Sequence, residues 1–171
     1  MSTATFVSID QYLHTTYRPD CDYVDGIVED RNLGTYPHGR LQLAFLLLLH
    51  RFERSHGLRV CPELRVRTQL SRFRIPDVCM SLEGGEELFL NIAPFLCVEV
   101  LSPEDRMSRV ETRLEEYFQM GVKHVWVVDP VSHEAWNYSS SGKQTVEDGV
   151  LRTSQPDLAI QLDELFKIAE S

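Results

Sequence analysis

The chain has 171 residues, 43% of them hydrophobic and 25% charged, values that fit one globular domain and exclude bulk disorder. Its 17 lysines and arginines stand against 26 aspartates and glutamates, a formal net charge of −9. No global electrostatic attraction therefore draws it to nucleic acid, and such contact requires a local basic surface or metal-neutralised carboxylates. No stretch approaches the roughly 20 apolar residues that span a bilayer, and Met1-Ser2-Thr3-Ala4-Thr5 does not read as a secretory signal. Cys21, Cys61, Cys79 and Cys97 form no C-x-x-C pair, which disfavours zinc or a disulfide framework and points to a reducing, cytoplasmic setting.

In chain order, Ser8-Ile9-Asp10-Gln11 has the form of a capping box and predicts a short helix over Gln11 to Thr15. Asp25-Gly26 separates Tyr23-Val24 from Ile27-Val28, the strongest short-range signal for a hairpin. After a loop containing Asn32-Leu33-Gly34, His38 to His56 reads as one long helix. Pro37 suits its start, Gly57 its end, and Leu41, Phe45, Leu48, Leu49 and Phe52 form its apolar stripe. Leu58 to Leu70 and Arg74 to Leu82 read as strands joined around Ser71-Arg72, followed by a turn at Glu83 to Glu87. Phe95 to Leu101 is almost continuously apolar, as a central strand covered on both faces would be. Ser102-Pro103-Glu104-Asp105 opens a helix through about Met120, stopped by Gly121, and Val125 to Val128 is a further buried strand. That strand–helix–strand unit predicts a right-handed parallel crossover. Two shorter strands near Ala135 to Tyr138 and Val150 to Thr153 should extend one edge, and a last helical turn covers Asp163 to Ile168. The fold class is thus α/β, with a mixed sheet.

Glu99 interrupts the strand that otherwise reads as fully buried, where an ionised carboxylate is costly without a cation or hydrogen-bond donors. Asp77 heads another apolar strand, Val78-Cys79-Met80. Two acids on neighbouring strands pointing the same way repel each other unless a divalent metal sits between them. Taken singly, Glu99 paired with an arginine and Asp77 as a mere strand start are the blander readings; together the two favour a site. Arg65, Arg67, Arg72 and Arg74 are the only basic concentration on a predicted hairpin, either contacts for a DNA backbone or the solvated face of an edge strand. Asp129, before Pro130, reads as a turn cap. His14, His50, His56, His124 and His133 lack metal-ligand spacing, and Trp126 and Trp136 read as packing residues.

Glu29, His38, Pro76-Asp77-Val78, Val98-Glu99-Val100-Leu101-Ser102-Pro103, Leu114-Glu115-Glu116-Tyr117, Gly121-Val122 and Trp126-Val127-Val128-Asp129-Pro130 occur here as an ordered set. In this the chain resembles the Uma family of restriction-endonuclease-like proteins, within the PD-(D/E)-X-K nuclease superfamily. The resemblance implies a restriction-endonuclease-like core with flanking helices and an added N-terminal hairpin, in one domain over residues 1–171. It implies a metal-dependent endonuclease acting on DNA phosphodiester bonds, with Asp77 and Glu99 as catalytic acids. Together with the carbonyl of Val100 they would hold Mg²⁺, for which Mn²⁺ could substitute, at about 2.0–2.1 Å. Glu29 would add a further carboxylate to the metal, and His38 would bond it or contact phosphate.

One position departs from the pattern. The motif's lysine belongs two residues after the second acid, where this chain has Leu101. The family's relocated lysine on the following helix falls on Arg113, which stays protonated and cannot act as a base, yet can stabilise developing charge. The same residue reads equally as a surface helix charge paired with Glu116. Two further functions remain open: a nuclease fold that no longer cuts and serves as a binding or assembly module, and a hydrolase using Asp77 and Glu99 as an acid/base pair without metal. Cutting two strands calls for two sites, so a homodimer is expected, with the apolar strands past Trp126 as its interface.

Overall fold

The computed structural model describes residues 6–32, 34–82 and 88–171. The expected turn at Glu83 to Glu87, the first five residues and Leu33 lie outside them. The Ser8 capping box forms and starts α1 (Ile9–Leu13). Strands β1 (Asp22–Val24) and β2 (Ile27–Glu29) make the predicted hairpin. Its two central residues, Asp25 and Gly26, both have positive φ, 50° and 94°, the combination a two-residue turn of type I′ requires.

Helix α2 (Tyr36–His50) is capped by the Thr35 hydroxyl, with proline in its first turn. It is shorter than the sequence suggests. Around Arg51 and Phe52 the amides bond three residues back rather than four, and a separate short α3 (Glu53–His56) follows, ended by left-handed Gly57. The two long strands expected next are each broken. Glu63, with φ 45°, divides Leu58 to Leu70 into β3 (Arg59–Pro62) and β4 (Val66–Gln69). Pro76, which lacks an N–H and restricts the residue before it, divides the next into β5 (Arg72–Arg74) and β6 (Val78–Ser81). Then come β7 (Leu96–Val100), α4 (Met107–Met120), β8 (His124–Val128), β9 (Ala135–Ser139), β10 (Gly142–Thr145), β11 (Val150–Arg152), β12 (Ala159–Gln161) and α5 (Leu162–Glu170). The helix after β7 starts later than expected because Ser102 to Asp105 closes a turn, with the Ser102 amide on the Asp105 carboxylate at 2.7 Å.

Six strands form the main sheet in the order β10-β9-β8-β7-β6-β3, with β7 and β8 parallel across the α4 crossover and the other pairs antiparallel. A four-stranded sheet, β2-β1-β5-β4, and the β11–β12 pair stand apart from it. The edge is therefore β10, not β11; its Gly142–Thr145 stretch is exposed throughout and carries no apolar pattern to announce it. Alternation explains why the central strands read as continuously apolar. Val78, Met80, Leu96, Val98, Val100, Trp126 and Val128 pack with α2 and α5, while Cys79, Cys97, Val125 and Val127 pack with Val110, Leu114 and Tyr117 of α4. Trp126 is fully buried in this core, and of the residues past it Ala135, Tyr138, Val150 and Leu151 are buried within the chain, while the exposed β10 is polar. Among the described residues, no helix is long and apolar enough to cross a membrane.

Candidate functional site

Strand β6 pairs with β7 so that Val78 lies opposite Val98. Asp77, one residue before β6, therefore comes beside Glu99, and the pleat turns both toward the α4 face. Solvent reaches neither: Asp77 is 4% and Glu99 3% exposed.

Asp77 Oδ1 accepts a hydrogen bond from Arg31 Nη2 at 2.8 Å, and His38 Nε2 lies 3.4 Å from the same oxygen. Its Oδ2 accepts from the backbone N–H of Val100 at 2.8 Å. The side-chain amide of Gln42, on α2, donates to the Asp77 carbonyl at 2.8 Å and ties that helix to the strand start. Burial by itself would raise the Asp77 pKa, but His38, Arg31 and the Val100 amide together hold it below the usual value. Asp77 in turn carries the His38 imidazole above its ordinary value, against the effect of burial.

Glu99 is held less firmly. Its Oε1 accepts from the Tyr117 hydroxyl at 2.7 Å, and its Oε2 lies 3.1 Å from Arg113 Nη2. Burial pushes its carboxyl up to about 7, with the Asp77 charge adding and Arg113, Tyr117 and Arg31 opposing. Arg113 also stands 4.0 Å from Asp105, and its buried Nε has no hydrogen-bond partner. Its partner is thus Glu99 and not Glu116, which overturns the surface-pair reading. Leu101, where the motif's lysine belongs, sits in the apolar cluster with Val110 and Leu114, so Arg113 is the cation that reaches the site from this side.

The structure brings Asp77, Glu99, His38 and Arg113 into one network and adds Arg31, Tyr117 and Gln42, which the sequence did not single out. Glu29 is not part of it: its Oε2 accepts from Arg74 Nη1 at 3.2 Å. Arg74 is the hub of a second, neighbouring network. It grips Glu116 with two bonds of 2.8 Å and Asp22 with one of 3.0 Å, while Asp22 also accepts from the Ile75 amide. The hairpin arginines are consequently not an open basic face. Arg65 is bound to Asp20, Arg67 to the Leu70 carbonyl, and Arg72 to Asp25 and Glu116. Asp22 carried the same signal as Asp77, an acid at the head of an apolar strand. Arg31 carried none; only its long-range partner distinguishes it.

Among the described residues, no three His, Cys, Asp or Glu side chains are grouped to hold a metal. The Asp77–Glu99 pair is a set of hard oxygen donors. It suits a cation such as Mg²⁺, which commonly takes one or two carboxylates and completes its shell with water and phosphate oxygens, better than zinc.

A family model described as "Uma2: Putative restriction endonuclease" matches residues 9–167. Among solved structures, the chain is similar to "a putative nuclease belonging to DUF820 from Anabaena variabilis ATCC 29413". That match has 18% identity and a TM-score of 0.80, covering 95% of this chain and 99% of the other. A chain of a DrdV–DNA complex matches with 16% identity and a TM-score of 0.47, over 80% of this chain and 12% of that one. No curated protein matches. The first of these structures bears out the mixed α/β, restriction-endonuclease-like fold.

Proposed function

The chain belongs to the Uma2 family, and from that premise we propose that it is a Mg²⁺-dependent endonuclease hydrolysing DNA phosphodiester bonds at the Asp77–Glu99 pair. The observation that carries this reading is the pair itself: two buried carboxylates side by side on adjacent strands, one with its pKa raised to about 7. Such a carboxyl exchanges its proton for a cation near neutral pH. A bound Mg²⁺ or Mn²⁺ would supply an activated water and stabilise charge on the phosphoryl oxygens. Asp77 and Glu99 would hold it, with the Val100 carbonyl as a further oxygen. His38 and Arg31 fix the Asp77 carboxylate in place. Arg113, permanently charged, steadies charge developing on the phosphate but takes no proton. Glu29 supports from beside Arg74 rather than as a ligand in the present arrangement. Four free cysteines fit a reducing, cytoplasmic setting, and a homodimer would let two sites cut two strands.

Calorimetry with Mn²⁺ tests the reading directly. Wild type should bind, while Asp77→Ala and the milder Glu99→Gln, each checked for folding by circular dichroism, should lose both binding and cleavage of plasmid DNA. Equal affinity in all three proteins would sink the proposal. A second reading, a binding module that no longer cuts, is favoured by Leu101 lying in an apolar cluster where the motif lysine belongs. If it holds, wild type leaves plasmid intact with Mn²⁺ and Arg113→Lys creates activity; robust wild-type cleavage removes it.

A further inference from the structure

A cleft of about 270 Å³ opens beside the carboxylate pair, and four arginines line it: Arg31, Arg74, Arg109 and Arg113. Its acids are Asp22, Glu29 and Asp30. Three of the arginines are committed, Arg31 to Asp77, Arg74 to Asp22, Glu29 and Glu116, and Arg113 to Glu99. Arg109 is different. It is exposed, and among the described residues its guanidinium enters no ion pair or hydrogen bond.

Arg109 is the third residue of α4, a helix that opens without a side-chain cap and without an acid in its first turn. The unsatisfied amides and the dipole of such a terminus favour an anion. Arg113 follows one turn later on the same side of the helix, and its buried Nε–H has no acceptor. An uncommitted cation, a residue with an orphaned donor and the first turn of an uncapped helix all line one cleft. In a chain of net charge −9, this is where a polyanion meets a local surplus of donors.

We propose that this cleft receives a phosphodiester oxyanion of a nucleic-acid backbone, with Arg109 as its first contact and Arg113 as its inner one. The inference rests on the nuclease reading and gives it a substrate subsite. Arg109 positions the backbone, while Arg31 and Arg113 remain on the carboxylates where bond cleavage would occur.

Fluorescence anisotropy with a labelled DNA duplex, in chelator and without added metal, tests it. Arg109→Gln should weaken binding by roughly three- to tenfold and reduce the slope of log affinity against log salt by about one. Arg54→Gln, at an exposed arginine of α3 outside the cleft, should change neither. A second arm follows the arginine Nε–H signals by NMR during titration with inorganic phosphate. Saturable shifts at Arg109 and Arg113 that vanish in Arg109→Gln support the site. DNA binding equally insensitive to Arg109→Gln and Arg54→Gln overturns the subsite and leaves the nuclease reading standing. Saturable phosphate binding with no affinity for duplex DNA keeps an anion site but overturns the backbone assignment. Absence of both signals overturns the subsite, while the nuclease reading stands or falls on metal-supported cleavage by the wild type.

Discussion

Two buried arginine–carboxylate networks lie next to each other in this protein, and they are built to opposite ends. Around Arg74 the charges are closed. Glu116, 3% exposed, accepts two bonds from Arg74, one from Arg72 and one from the Thr68 hydroxyl, and these donors hold its carboxyl below its ordinary pKa. Around Asp77 and Glu99 they are open. Glu99, also 3% exposed, has only Tyr117 and Arg113, lies deeper, faces a second carboxylate, and is pushed up to about 7. Arg113 keeps an unpaired buried Nε, whereas none of the Arg74 nitrogens is orphaned. Two glutamates with equal exposure therefore titrate in opposite directions, and what separates them is depth and the supply of donors. A saturated network holds sheets together; an unsaturated one retains capacity for a ligand.

The largest effect that tests this contrast is on Arg74. Replacing it by methionine leaves Asp22 and Glu116 buried without their main counter-charge, and stability should fall by about 3–5 kcal/mol in urea denaturation. A loss no greater than that of Arg113→Met would break the contrast between scaffold and site. A smaller effect separates the two glutamates. Glu116→Gln should cost about 1–3 kcal/mol, since it weakens a satisfied set of charged bonds. Glu99→Gln at about pH 8 should cost no more than Glu116→Gln, since the poorly compensated Glu99 charge that it removes offsets part of the loss of Arg113's partner.

The same residues set the pH dependence. Glu99 has a folded pKa near 7 against an ordinary 4.5, so the native state binds more protons than the unfolded state in that window. Stability then falls as pH rises through it, by at most about 1.4 kcal/mol per unit. His38, raised by Asp77, acts in the same direction: its contribution is complete below its ordinary 6.5 and is lost as pH climbs through the higher folded value. Asp77 acts at the acid end, where its lowered pKa gives stability that disappears as pH drops below 3.8. Thermal melts of wild type should therefore decline from about pH 5 to 8, and Glu99→Gln should flatten that decline. Parallel curves for the two proteins would show that Glu99 is not the titrating group.

Much of the open network was legible in the sequence, and most of the closed one was not. Glu99 announces itself because a carboxylate interrupting an apolar strand needs a reason, and Asp77 because it heads the strand beside it. The left-handed residues at Gly26, Gly57 and Gly121 mark ends that the chain takes as expected. The Arg74–Glu116 and Arg31–Asp77 pairs join residues 42 and 46 positions apart, and no local period relates them. The four hairpin arginines show the cost of that blindness: composition presents them as a basic patch, but distant carboxylates claim Arg65, Arg72 and Arg74, and Arg67 turns back onto the Leu70 carbonyl. The break at Glu63 follows directly on Pro62, a strand breaker that the alternation of Leu64 to Arg67 masked, whereas the break at Arg51 has no glycine or proline to signal it.

The smallest effect separates the networks most finely, because it removes one hydroxyl donor from each. Thr68→Val takes away the 3.0 Å bond to Glu116 and leaves three arginine bonds in place. It should cost about 0.5–1.5 kcal/mol and leave the Glu116 carboxyl still below its ordinary pKa, because the remaining charged donors, Arg74 first, fix the carboxylate. Tyr117→Phe takes away the 2.7 Å bond to Glu99 and leaves Arg113 as its one direct partner. Here the ionised form loses a donor that it cannot replace, so the Glu99 titration should move to higher pH even where the stability change is equally small. Carboxyl carbon shifts followed by NMR against pH read both. A Glu99 midpoint unmoved in Tyr117→Phe would mean that Arg113 and burial alone set its charge, and that the two networks differ in depth rather than in their supply of donors.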